Sequence, residues 1–304
     1  MFLKTRVVKG IEYFYACVSY VREGKQEQKD VYYFGNRKPT KYEWGAVLAA
    51  IEGKDVYEPK EAQMRQEQKE RVEGLGKRMK SELAQMSASE REKFYEMFYN
   101  DYIYNTNSIE GSTLSKDETF FVTREKQGVE GKSLKEIYMA RNLMAAIEFL
   151  EKYDGELNVS LVKKLHEIVQ EDIQQKEELG QFKRRQNYII GTEFLPTPPN
   201  MVEERMDGLL RWIGINRKKY YAFELAALFH LKFVGIHPFI DGNGRVARLL
   251  HNFMLKQSGL VPIVYHAKTK QKYYSALRAA QIYGSHRQFL DYSLEEFVAT
   301  YESA

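Results

Sequence analysis

From residue 87 to the C-terminus, apolar residues recur at helical spacing in one segment after another, and this pattern excludes an architecture built mainly on sheets. Residues 133–153 carry Leu134, Ile137, Met139, Leu143, Ala146, Ile147 and Leu150 on one stripe, and Ser133 with Glu136 forms a capping-box pattern at its start. Further helices are expected over 160–172, 201–215, 220–234, 245–257, 272–282 and 289–301. Only two extended pieces interrupt them, 187–195, which runs into Pro196, Pro198 and Pro199, and 261–265. The expected fold is mainly α, a helical bundle.

The first 35 residues follow another rule. Residues 3–8, 11–21 and 31–34 are dense in β-branched and aromatic side chains, with a turn at Gly10 and a polar loop over 22–30, so a small antiparallel meander is expected. A helix over 41–53 follows, and Pro59 can open the next. The stretch to residue 86 is rich in Lys, Glu, Gln and Arg and reads as a solvated helix or linker. The chain thus divides into a β-rich module (1–55), a helical linker (56–86) and a helical core (87–304). The 46 basic residues exceed the 42 acidic ones by only four, which gives no argument for nucleic acid. Cys17 is the single cysteine, so an internal disulfide or a multi-cysteine metal site is excluded. With no apolar run long enough to span a bilayer and no basic-then-apolar leader, the expected location is cytoplasmic.

Chemistry concentrates in residues 237–248, His-Pro-Phe-Ile-Asp-Gly-Asn-Gly-Arg-Val-Ala-Arg. Two glycines between helices let main-chain N–H groups converge, and the helix start adds its positive dipole end, which makes an anion cradle. Arg245 and Arg248 lie three apart and can face one anion. Their guanidinium forks suit a chain of phosphates. Asp241 offers a hard oxygen ligand for Mg²⁺, and His237 can take a proton from an attacking hydroxyl. A transition-metal reading of His230, His237 and Asp241 leaves the glycines unexplained.

This segment resembles the signature of the Fic family at every specified position. Residues 180–185, followed by Tyr188, Ile189, Ile190 and Gly191, resemble that family's β-hairpin flap, which clamps the segment of the target that is modified. Residues 249–255 and 272–280 resemble later helices of the family; Tyr273, Tyr274 and Asn252 are thereby implied as adenine contacts, and Gln281 stands where some relatives carry Asn. The resemblance covers about residues 90–290. It implies transfer of AMP from ATP to a Ser, Thr or Tyr hydroxyl of a protein, self-modification included, with Mg²⁺ as cofactor. His237 would be the base and Asp241 the metal ligand; Gly242, Asn243, Gly244 and Arg245 would contact phosphates, and Arg248 would hold the γ-phosphate. Doc-type kinases of the same superfamily go with a changed second glycine, whereas Gly244 is intact.

Upstream, Thr106 to Gly111 (Thr-Asn-Ser-Ile-Glu-Gly) resembles the family's inhibitory-helix motif. The resemblance implies a helix over about 90–111 whose Glu110 pairs with Arg248 and suppresses ATP binding. It also allows removal of AMP at the same site. An alternative of another class is a DNA-associated regulator whose core senses ATP. For residues 1–55, target docking, dimerisation and nucleic-acid contact stay open. His166, His251, His266 and His286 show no convergent partner in the sequence, and residues 183–185 read as a solvated basic run.

Overall fold

The computed structural model describes residues 2–8, 10–22, 25–39, 44, 64–125, 127–189, 192 and 194–302. Three strands open the chain: β1 (Phe2–Val8), β2 (Ile11–Arg22) and β3 (Lys25–Gly35). They pair antiparallel in the order β1-β2-β3, with Leu3 opposite Ala16 and Tyr15 opposite Tyr33. The meander is as expected, but β3 begins within the stretch read as a polar loop, where Lys25 to Asp30 pair with Arg22 back to Cys17 of β2. Phe34, Trp44 and Leu195 pack around the buried Ala16. Apart from Trp44, the helix expected over 41–53 and the one opened by Pro59 lie outside the described residues up to residue 63.

The remaining architecture is helical: α1 (Gln66–Gln85), α2 (Ala88–Ile109), a short α3 (Lys116–Phe120) running into a π turn, α4 (Leu134–Lys152), α5 (Val159–Gln170), α6 (Val202–Asn216), α7 (Ala222–Ile236), α8 (Asn243–Gln257), α9 (Lys270–Tyr283) and α10 (His286–Glu302). Within the stretch read as a solvated helix or linker, residues 66–85 form a helix, α1, which places Val72, Leu75 and Met79 in the main core and packs on α10. Those residues sit at helical spacing, and the glycines between them, Gly74 and Gly76, do not interrupt the helix. The helix α7 is apolar on all sides and every residue from Phe223 to Ile236 is buried, so it is the axis about which the others pack. Its C-terminus delivers the 237–242 loop, and α8 leaves that loop against it.

Two expected extended pieces are loops. Residues 260–266 make no ladder, and neither do the described residues of 181–198, so the flap is irregular there rather than a β-hairpin. Ile190 and Gly191 lie outside the described residues. Among the described residues, no helix is long and apolar enough to cross a membrane.

Candidate active site

The helix α7 ends in a way that exposes its chemistry. His237 takes φ 53°, ψ 60°, the left-handed conformation usually left to glycine, while its N–H still bonds Phe233 O at 2.9 Å. A histidine there costs about 1 kcal/mol or more in backbone strain, a common signature of a working residue. Its Nδ1 lies 3.3 Å from Val234 O, and a carbonyl only accepts, so Nδ1 carries the proton and Nε2 keeps its lone pair. Burial, reinforced by the nearby Lys183 charge, pushes His237 down to about 4 against the opposing pull of Glu110 and Asp241. The ring is therefore neutral at ordinary pH.

The loop after it is closed by Asn243, whose Oδ1 accepts from Phe239 N at 2.9 Å and whose Nδ2 donates to Phe239 O at 2.8 Å. The Asn243 side chain thus shapes the loop. Gly242 has φ 79°, and a Cβ there would press on Gln170. Asp241 accepts from Gly242 N at 2.7 Å through Oδ1, and its Oδ2 lies 3.7 Å from Arg245 Nη2. Burial pushes the Asp241 carboxyl up, but the Arg245 charge, Gly242 N–H and the Gln170 amide together hold it below its ordinary value.

Arg245 and Arg248 are both buried. Arg245 Nη2 donates to Gln170 Oε1 at 3.0 Å, while its Nε and Nη1 find no acceptor in the protein. Arg248 donates to Tyr273 Oη at 3.3 Å, to Thr106 O at 3.2 Å and to Glu110 Oε1 at 2.5 Å. The sequence expectation that Glu110 faces Arg248 matches this geometry. Glu110 is the C-cap of α2; Gly111 follows at φ 97° and Ser112 N returns to Asn107 O at 2.9 Å, which fixes the helix end. At Gly244, on the first turn of α8, a Cβ would collide with Glu110 Oε1 and crowd Arg248 Nη1. Glu110 thus rests its carboxylate on a helix N-terminus, where anions are favoured.

The implied adenine contacts divide. Tyr273 is buried, its hydroxyl accepting from Arg248 at 3.3 Å and lying 2.9 Å from His230 Nε2. Tyr274 is 44% exposed, and its Oη donates to Ile109 O at 2.8 Å. Asn252 bonds Ile263 through both amide atoms and lines a separate cavity of about 700 Å³ with Tyr99, Phe253 and Pro262. In the flap, Tyr188 is exposed and Ile189 half-buried.

Four residues at the site escaped the sequence reading. Lys183 is buried rather than solvated: its N–H bonds Pro238 O at 2.9 Å, its Nζ donates to Asn187 Oδ1 at 2.7 Å, and burial pushes it down to about 7. Asn187 in turn donates to Phe239 O at 2.7 Å. His166 and Gln170 meet the loop from α5. The other histidines are placed away from it, His251 beside Tyr265 and His266 on Glu296. Among the described residues, no group of three or more His, Cys, Asp or Glu is placed to hold a metal ion. A single carboxylate remains compatible with Mg²⁺, which binds through one or two carboxylates plus substrate phosphates.

Residues 156–255 match the Fic/DOC family. Protein adenylyltransferase fic-1 of Caenorhabditis briggsae is 34% identical over 205 residues, spanning 63% of this chain and 38% of that protein. Protein adenylyltransferase Fic of Drosophila ananassae is 34% identical over 193 residues, 60% of this chain and 37% of that one. The chain therefore spans under two-fifths of the length of these relatives. The solved structure of a Fic-1 fragment from C. elegans superposes with a TM-score of 0.68 at 26% identity, covering 85% of this chain and 73% of its own. A Fic-domain signaling protein from Bacteroides thetaiotaomicron, at 23% identity and TM-score 0.68, covers 77% and 93% and shares the fold. With signature, site geometry and fold in agreement, residues 156–255 of the chain match the Fic/DOC family, and the helical part of the chain shares the fold of Fic proteins.

Proposed function

We propose that this protein transfers AMP from ATP to a hydroxyl side chain of a protein and that Glu110 restrains the reaction. The observation that carries this reading is the seat of Glu110, a carboxylate resting at Gly244 on the α8 N-terminus and paired with Arg248. A site that holds a carboxylate there, with Arg245 Nε and Nη1 and Arg248 Nε still without acceptors, suits a polyphosphate. The names of the related adenylyltransferases support ATP as the nucleotide.

In the reaction, the target hydroxyl oxygen bonds to the α-phosphorus as the bond to the bridging oxygen of pyrophosphate breaks. His237 Nε2, neutral and unprotonated, takes the hydroxyl proton. Arg245 and the amides of 242–244 meet the phosphate charge, and Arg248 takes the γ-phosphate once Glu110 leaves. Asp241 would hold Mg²⁺, which when bound neutralises phosphate charge. The exposed Tyr188 belongs to the loop that would meet the target, whose modified residue is a Ser, Thr or Tyr.

Incubation with α-labelled ATP and Mg²⁺, followed by mass spectrometric location of the label, tests the reading. Label that persists undiminished in His237→Ala, or is absent from Glu110→Gly at saturating ATP, overturns it. Asp241→Ala should lose its Mg²⁺ dependence. One observation favours a second activity, AMP removal: Glu110 Oε1 sits against Gly244 on the α8 N-terminus, so a water there would meet a carboxylate that can orient it. Pre-AMPylated target should then lose AMP with the parent chain and keep it with Glu110→Gly.

A further inference from the structure

The helix α5 lies directly behind the phosphate loop. It presents His166 and Gln170, one turn apart, and both are fully buried. His166 meets Asp241 and Gln170 meets Arg245, and the separation in sequence is 75 residues in each case, so four residues along α5 run in step with four along the loop.

The two contacts differ in kind. At His166, Gly180 N donates to Nδ1 at 3.0 Å, so the ring proton is on Nε2, which donates to Asp241 O at 3.2 Å. The ring also lies flat on Phe239, with centroids 3.8 Å apart and planes 10° from parallel. One imidazole thus ties the base of the flap to the phosphate loop, through two main-chain groups that have opposite hydrogen-bonding needs. Gly180 adopts φ 66°, where a Cβ would come within 3.1 Å of Lys163 O, so the chain approaches α5 closely there. Gln170 acts only on the loop side: its Oε1 holds Arg245, and its side chain fills the space beneath Gly242.

We propose that His166 is a positioning residue that joins the base of the target flap to the phosphate loop, with Gln170 holding Arg245 from the same face of α5. The proposal rests on the AMP-transfer reading for its purpose, since that reaction needs the flap and the nucleotide in one geometry. A shift of the Asp241 peptide would carry the Asp241 carboxylate and the Gly242 N–H with it, because these two are bonded to each other. A histidine kept only for packing would be replaced by phenylalanine without consequence, since the ring stack would survive.

The test uses the full chain carrying Glu110→Gly, so that the inhibitory contact does not mask binding, with His166→Phe and His166→Gln added separately. Affinity for Mg·ATP is measured by calorimetry, backbone hydrogen exchange over residues 180–189 by mass spectrometry, and the global fold by thermal melting. In His166→Phe, affinity should fall about tenfold, as for other residues that act through a ligand, and exchange over 180–189 should rise. His166→Gln, with one donor and one acceptor, should recover much of both. Affinity within twofold of the parent, or unchanged exchange over 180–189, overturns the joint. Should His166→Phe not fold, His166→Asn carries the same two readouts. A parent that binds Mg·ATP but transfers no AMP removes the functional reading while the same measurements still judge His166. A parent that binds no ATP removes that reading too, and exchange alone then judges the joint.

Discussion

Replacing Glu110 tests the inhibitory contact most directly. Glu110 Oε1 and Arg248 Nη2 are 2.5 Å apart, the arginine side chain is 1% exposed and the glutamate 30%. A hydrogen bond between charged groups contributes about 1.5–3 kcal/mol. The part-exposed carboxylate is screened by water, which lowers this to about 1–2 kcal/mol. ATP must displace that contact to place its γ-phosphate on Arg248, so removing it should raise labelling at sub-saturating ATP by about 5- to 30-fold. Arg248 keeps its bonds to Thr106 O and Tyr273 Oη, so the buried guanidinium is not stranded. Glycine also loosens the end of α2 by about 0.5–1 kcal/mol, and Glu110→Gln separates the two effects because it keeps the side-chain shape and loses the charge. Initial rates of AMP incorporation from α-labelled ATP, over a wide concentration range and beside thermal melts, provide the assay. Equal rates within twofold for parent and both variants at every ATP concentration, with the fold intact, would refute the reasoning.

Other outcomes follow from the same geometry. His237→Ala should cut AMP transfer by about 10²–10⁴ in rate and leave the chain folded; a collapse of the fold would reassign His237 to structure. Because His237 is held down at about 4, kcat/KM for ATP should show no acidic limb near 6.5, and half-loss at that pH in folded enzyme would contradict the assignment. Stability should fall as pH drops from 6.5 towards 4. Burial depresses His166 to about 4 and His251 to about 3, and lowers His230 also, so the unfolded chain binds protons in that window that the native chain does not. Each such proton is worth about 1.4 kcal/mol per pH unit, and chemical unfolding at pH 7.5 and 5 would read the difference; equal stability at the two would contradict it. Gly244→Ala should weaken both Glu110 seating and ATP binding, because its Cβ points at Glu110 Oε1 and Arg248 Nη1, and calorimetry showing parent-like affinity would place the phosphates elsewhere.

The 237–248 loop was legible because its chemistry is contiguous: the proposed base, the proposed metal ligand, the glycines and two arginines fall within twelve residues whose types make sense only together. Helices were legible to within a few residues for the same local reason, with Ser133 and Glu136 capping α4 as the pattern predicts. What surrounds the loop was not legible. His166 and Gln170 reach it across 75 residues, and Asn187 reaches Phe239 across 52, mostly through main-chain groups that leave no trace in side-chain type. Lys183 read as part of a basic surface run because burial of one member is set by how the flap folds over Pro238. Asn243 was recognisable as part of the signature, but its bonds to Phe239 show that a residue can be required for the loop's shape rather than for its ligand.

How α2 is held bears on how the restraint can be released. Asn105 accepts from Ala267 N at 2.9 Å and Ile109 O accepts from Tyr274, so two anchors of the helix engage the 3₁₀ turn before α9 and α9 itself, while Thr106 O shares Arg248 Nη2 with Glu110. Glu110 alone among these places a charge on Gly244. Beyond it, Gly111 at φ 97° marks a point where the chain can turn at little steric cost, and Thr113 is held separately by Glu136 at 2.7 Å. On the proposed reading, release would need a change of the Glu110 side chain or of the last turn, between two fixed points, and not departure of the whole helix. That is consistent with a restraint of only a few kcal/mol that ATP itself can contest, in a domain whose core stays packed while one carboxylate moves.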